Sequence, residues 1–215
     1  MCGMMSAADA VAAAQAGADA VGMVFYRAAR RCITIDVARE IMQSLPPFVT
    51  PVGLFVNAEV EEIRETAGML GLRHLQLHGE ESPEFVAQLK ERVVLKAIRV
   101  ASNIREELAQ WRAAIASHGL THLRGILLET GGVSMGGSGV ENDWELIGRL
   151  QADGSFDGLP AVIMAGGLAP ENVAGVVRRL KPWAVDVSSG VEAVFGKKSP
   201  EKMAGFVKAV RAGEA

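Results

Sequence analysis

Between Ala161 and Glu192 the chain twice runs a short apolar segment into a cluster of small residues. The first segment, residues 161–164, leads to Gly166-Gly167, and the second, residues 184–187, leads to Ser188-Ser189-Gly190. Residues this small let a ligand approach bare backbone N–H groups, which is what an anion requires. Taken singly, each cluster is also what a plain strand-to-helix turn needs. Two of them, about twenty residues apart near the end of one chain, match the loops after strands 7 and 8 of a (β/α)8 barrel, where that fold builds its phosphate cup. Gly166, Gly167, Ser188, Ser189 and Gly190 are therefore candidate phosphate ligands. The two apolar segments read as the last two strands.

The rest of the chain fits that frame, because helix-like and strand-like patterns alternate from end to end without a linker or low-complexity tract. One domain over residues 1–215 is expected. Helices are predicted over residues 7–18, 36–45, 59–70, 83–90, 104–117, 144–150, 170–180 and 200–211. Strands are predicted over residues 19–24, 50–56, 74–77, 93–100, 125–128, 161–164 and 184–187. Ser199 and Pro200 supply the last helix with an N-cap and a first residue suited to that position. Only Met1-Cys2-Gly3 stand where a barrel uses about five or six residues for its first strand. The fold class expected is thus α/β, a (β/α)8 TIM barrel with its first strand largely missing. An open barrel leaves two unpaired strand edges, so either the natural reading frame begins upstream of Met1 or the barrel is gapped there.

A chain of 215 residues suits one small barrel, near the lower end of the roughly 200 to 400 residues that the fold uses. Apolar residues at 49% with aromatics at 5% suit strands buried on both faces. With a net charge of -3 and no basic run, nothing in the chain neutralises a polyanion, so nucleic acid is not an expected partner. No apolar run approaches the roughly eighteen residues of a membrane span. Cys2 and Cys32 are too few for a disulfide framework and no secretory leader precedes them, so cytoplasmic localisation and a small-molecule partner are expected.

In a parallel barrel the reacting groups sit where strands end and loops begin. Those positions hold Cys2-Gly3, residues 25–31, Phe55-Val56-Asn57, Gln76-Leu77-His78-Gly79, residues 96–99 and Glu129. Gln76 and His78 alternate with leucines, so both face the interior, as hydrogen-bonded core residues or as groups that shape the substrate site. Of Lys96 and Arg99, one either pairs with a core carboxylate such as Asp186 or meets a ligand. The Gly-rich loop 131–142 is either a lid that excludes water or a surface loop, and Asp143 reads as the N-cap before Trp144. A cysteine serves as a base when a cation or helix N-terminus lowers its pKa from about 8.5 toward neutrality. Cys32, beside Arg30-Arg31, reads as a packing residue or a loop thiol.

The phrases Cys2-Gly3, residues 16–22, residues 52–57, Leu75-Gln76-Leu77-His78-Gly79, residues 96–100, Gly136-Gly137-Ser138-Gly139 with Asp143-Trp144, residues 165–168, and Asp186-Val187-Ser188-Ser189-Gly190-Val191-Glu192 together resemble the phosphoribosylanthranilate isomerase family. The resemblance runs from residue 2 to about residue 210. It implies an Amadori rearrangement in tryptophan biosynthesis, of N-(5-phosphoribosyl)anthranilate to 1-(2-carboxyphenylamino)-1-deoxyribulose 5-phosphate, with no metal and no organic cofactor. A monomer or homodimer is implied. So are Cys2 as general base, Glu129 as general acid at a position where the family has aspartate, and Arg31 as the fork for the substrate carboxylate. The loop before Arg31 departs from the family's Ser-Pro-Arg, reading Ala29-Arg30-Arg31. Other phosphosugar barrel enzymes would bring a metal-binding His and Asp set, or a catalytic Lys with a paired Glu near strand 2, and neither is evident. The shortened front and Glu129 leave a non-catalytic phosphosugar binder as the alternative.

Overall fold

The structure, a computed structural model, describes residues 1–130 and 144–214. Seven strands lie in sequence order in one sheet: β1 Ala20–Val24, β2 Thr50–Phe55, β3 His74–Leu77, β4 Val93–Arg99, β5 Leu123–Glu129, β6 Ala161–Ala165 and β7 Ala184–Val185. Every neighbouring pair is parallel. Parallel strands need a crossover, and six helices supply it, α2 Ile35–Ser44, α3 Val60–Leu70, α4 Pro83–Val86, α5 Ile104–His118, α6 Trp144–Ala152 and α7 Val173–Leu180, while α1 Ala7–Ala16 precedes β1 and α8 Pro200–Glu214 follows β7.

Helix ends follow local chemistry. Ser6, Thr34 and Ser82 accept the N–H of Asp9, Val37 and Phe85, and Ser199 accepts that of Lys202 at 3.2 Å, which satisfies donors that a helix start leaves unpaired. α1 stops two residues before the predicted end because Gly17 takes a left-handed conformation, φ 96°. α7 begins later than predicted because Asn172 is diverted into the preceding loop, its Nδ2 donating to Gly167 O at 2.9 Å and its Oδ1 accepting from Ala169 N at 2.8 Å.

The strands use both faces, as the composition requires. Leu75, Leu77, Ile98, Ile126, Leu128 and Met164 pack outward with helix residues such as Ile63, Leu108, Val176 and Phe206 in the main core. The alternate residues Ala97, Leu127, Ile163 and Ala165 form a separate cluster on the other face, and Cys2, Val24 and Leu54 another. The first and last helices meet, with α8 packed against both α7 and α1.

The two edges expected to lie open are both occupied. No regular strand forms over residues 1–4, yet Met1 N donates to Ala20 O and Gly22 N to Met1 O, both at 2.8 Å, and Met4 N donates to Gly22 O at 2.9 Å. On the other side Cys2 N donates to Val187 O at 2.8 Å, just beyond β7. Gly3, at φ 74°, interrupts the ladder between these bonds. Sequence reasoning also gave no strand after residue 187, where the structure has an antiparallel hairpin, β8 Glu192–Val194 with β9 Lys197–Lys198, turning at Gly196 with φ 77°. Among the described residues no helix is long and apolar enough to cross a membrane.

Candidate active site

Cys2 is held by its amide on Val187 and packs against Val24 and Leu54, with 8% of its surface exposed. Space for it exists because residue 22 is glycine: a Cβ there would lie 2.8 Å from the Cys2 sulfur. The thiol is pushed up to about 12, first by burial and then by the charge of Asp186, against the opposing pull of the N-terminal ammonium, Lys198 and the Gly3 amide. The cations nearby do not offset desolvation, so the lowering that a cysteine base requires is not supplied by these residues alone. Cys32 is half-buried, and burial raises its thiol as well.

Gly3 brings three predicted elements together, for a Cβ on it would lie 2.7 Å from Arg31 Cδ and 3.0 Å from Ser188 Oγ. Arg31 is already engaged: Nε meets Glu192 Oε1 at 2.7 Å and Nη2 meets Oε2 at 2.8 Å. Lys198 Nζ lies 3.2 Å from Glu192 Oε1 and donates to Ser188 O at 2.9 Å. Burial opposes ionisation of Glu192, but the hydrogen bond from Arg31 and the charge of Lys198 outweigh it and hold the carboxyl below its ordinary range. Sequence reasoning missed Lys198 altogether and gave Glu192 no partner. A Glu six residues before a Lys carries no signal without the hairpin between them.

Gln76, His78 and Glu129 form a hydrogen-bonded row. Gln76 Nε2 lies 2.8 Å from His78 Nδ1, and His78 Nε2 lies 3.0 Å from Glu129 Oε2. With the Gln76 amide in this orientation its nitrogen donates to Nδ1, which leaves Nε2 facing the carboxylate as the donor. That hydrogen bond holds Glu129 below the usual carboxylate range, with burial opposing it and the charge of Arg99 adding to it. Lys96 does not reach Asp186. It points to the outer face, where it meets Glu81 at 3.1 Å and the carbonyls of Gly79 and Ala97 at 2.6 and 2.8 Å.

The two small-residue clusters interlock. A Cβ on Gly190 would lie 1.9 Å from Leu168 O, and one on Gly166 would lie 1.8 Å from Thr130 O, so the loops after β5, β6 and β7 touch through backbone. Gly166 and Gly167 have φ 88° and 61°. Among the described residues the amides of Gly167, Ser189 and Gly190 donate to no turn or loop carbonyl, which makes them candidate donors to an anion. Cys2 and Glu129 are joined by no hydrogen bond or ion pair among the described residues. Nor is there, among them, a group of three side chains able to hold a metal. The proposed lid 131–142 and the cap Asp143 lie outside the described residues.

Residues 1–209 match the family model for N-(5'-phosphoribosyl)anthranilate (PRA) isomerase. The N-(5'-phosphoribosyl)anthranilate isomerase of Pseudomonas syringae pv. tomato is 44% identical over 212 residues, covering 98% of this chain and 95% of that relative. The solved phosphoribosyl anthranilate isomerase of Thermotoga maritima superposes with a TM-score of 0.85 at 39% identity, covering 98% of this chain and 97% of its own. A second solved isomerase, in complex with reduced 1-(o-carboxyphenylamino)-1-deoxyribulose 5-phosphate, gives a TM-score of 0.81 at 37% identity over 98% and 96% of the two chains.

Proposed function

The chain belongs to the phosphoribosylanthranilate isomerase family, and from that premise we propose that it converts N-(5'-phosphoribosyl)anthranilate to 1-(2-carboxyphenylamino)-1-deoxyribulose 5-phosphate with Cys2 as base and Glu129 as acid. The observation that carries this reading is the wedge of Cys2-Gly3 between Arg31 and Ser188, because it sets a thiol beside a carboxylate-binding fork and a turn with candidate donor amides. The substrate has these same three parts in a row: an aryl carboxylate, a sugar carbon to be deprotonated and a phosphate. Arg31 takes the carboxylate, the amides around Gly166, Gly167, Ser188, Ser189 and Gly190 take the phosphate, and Gln76 with His78 orients Glu129.

Glu129, protonated, gives its proton to the furanose ring oxygen as the C1′–O bond breaks, and the anilino nitrogen lends its lone pair to form an iminium ion. Cys2, as thiolate, then takes the proton from C2′, whose electron pair flows toward nitrogen. The enolamine gains a proton at C1′ and gives up the proton of its C2′ hydroxyl, which becomes the ketone, so protons and electrons balance within the substrate. Residues 1–4 occupy the place of a first strand and complete a single (β/α)8 barrel over residues 1–215. The enzyme works in the cytoplasm, as a monomer or homodimer. Cys2→Ala tests the assignment: turnover of phosphoribosylanthranilate, followed by its fluorescence, should vanish while the reduced product still binds. An unchanged kcat would remove Cys2 from the mechanism, and binding without turnover in the wild type would leave a phosphosugar binder.

A further inference from the structure

Behind Arg31 stand two charged groups that the reaction does not use. Glu192 is 7% exposed and Lys198 2%. Ions this deeply buried persist when each finds charge and hydrogen bonds together. Glu192 does so through both oxygens on Arg31 and through Lys198, and Lys198 through Glu192 and the Ser188 carbonyl. A guanidinium offers a carboxylate two forked edges, one from Nε and Nη2 and one from Nη1 and Nη2. Glu192 occupies the first. Phe195, in the same hairpin, covers the plane: the Cζ atoms of Arg30 and Arg31 lie 3.7 and 4.5 Å from its ring centre. One edge of Arg31 is left for a ligand, and its direction is set.

We propose that Glu192 and Phe195 are positioning residues for Arg31, which fix its guanidinium so that the Nη1/Nη2 edge is preset for the substrate's aryl carboxylate. Lys198, bonded to Glu192 and to the Ser188 carbonyl, anchors the hairpin that carries this clamp. The inference rests on Arg31 as the carboxylate ligand. A clamped arginine loses little freedom on binding, whereas a free one has several rotors to order, so the clamp should show in affinity for carboxylated ligands alone.

Calorimetric titration separates these effects, with reduced 1-(o-carboxyphenylamino)-1-deoxyribulose 5-phosphate as one probe and its phenylamino counterpart, lacking the carboxyl group, as the other. Glu192→Gln should weaken the first probe about tenfold or more and Phe195→Ala about threefold, with the second probe held within about twofold of wild type by both. Glu192→Asp should recover part of the loss. Should Glu192→Gln not fold, Phe195→Ala decides, since that ring is 44% exposed. Equal weakening of both probes, or no weakening of either, overturns the clamp. Arg31→Met is the control for the reading beneath it: if it leaves the preference for the carboxylated probe intact, Arg31 is not the carboxylate ligand. If it abolishes that preference while the Glu192 and Phe195 variants keep it, only the clamp fails.

Discussion

Gly22→Ala is the smallest change that should separate the position of the thiol from its presence. The new Cβ would lie 2.8 Å from the Cys2 sulfur, 3.1 Å from its Cα and 3.2 Å from its Cβ. Carbon and sulfur rest at about 3.5 to 4.0 Å or slightly more, so the sulfur has to move by roughly 0.7 to 1.2 Å. The Cys2 backbone gives little, because its amide is tied to Val187 and Gly22 N is itself bonded to Met1 O. A reacting group misplaced by about 1 Å loses roughly a hundredfold in rate. Overpacking should also lower stability by about 1 to 3 kcal/mol, or roughly 2 to 4 °C in Tm for each kcal/mol. The assay is kcat for phosphoribosylanthranilate beside a melting curve, with Gly68→Ala as control. A Cβ at Gly68 meets nothing within 4 Å, and alanine in a helix should hold or raise Tm. A Gly22→Ala enzyme that melts lower but turns over within about threefold of wild type would refute the claim that the seat of Cys2 governs the rate.

His78→Ala should let Glu129 recover toward its ordinary value of 4.5, so the limb of the kcat/KM profile that reports this acid should move to higher pH. The sign for stability follows from the same bond. A carboxyl depressed in the folded state stabilises above its unfolded pKa and loses that contribution as pH falls through the folded one, so the Tm gap between wild type and variant should be present at pH 7 and shrink below about pH 4; a gap independent of pH would rule the bond out as its cause. Lys96→Met should cost about 3 to 5 kcal/mol, because Glu81, 6% exposed, would be left buried without its cation; a loss below about 1 kcal/mol in urea titration would contradict that pairing.

What the sequence disclosed divides along one physical line. Alternation is a property of each segment, so the order of strands and helices, the faces of Gln76 and His78, and the glycine turns after β6 and β7 could be read without a structure. So could the start of α8, where Ser199 and Pro200 act locally. Pairing between charges distant in the chain is not a property of any segment. Lys96 sits one residue from an inward-facing position, and the pleat alone sends it outward to Glu81 instead of Asp186. Arg31 and Glu192 are separated by 161 residues, and their bond exists because a hairpin with no apolar alternation folds back at Gly196. At the front of the chain, counting residues suggested a missing strand, and none forms there; what counting could not give is that three hydrogen bonds to one edge and one to the other hold these four residues and their left-handed glycine in the space.

Burial raises the Cys2 thiol and the His78 hydrogen bond lowers the Glu129 carboxyl, each away from what its proposed role needs, and the substrate can correct both in order. Glu129 has 36% of its side chain exposed, so a ligand that fills the mouth removes water from beside it. The ligand also brings a phosphate and a carboxylate, and desolvation and negative charge both raise a carboxyl's affinity for a proton. The same charges disfavour a thiolate at Cys2, which therefore cannot act first. Once Glu129 has opened the furanose, however, the iminium at C1′ is a cation next to the proton Cys2 must remove, and a nearby cation both lowers a thiol's pKa and acidifies that C–H bond. On the proposed assignment, acid before base is then a consequence of where the charge appears, and Glu129 rather than Cys2 controls when the positive charge is made.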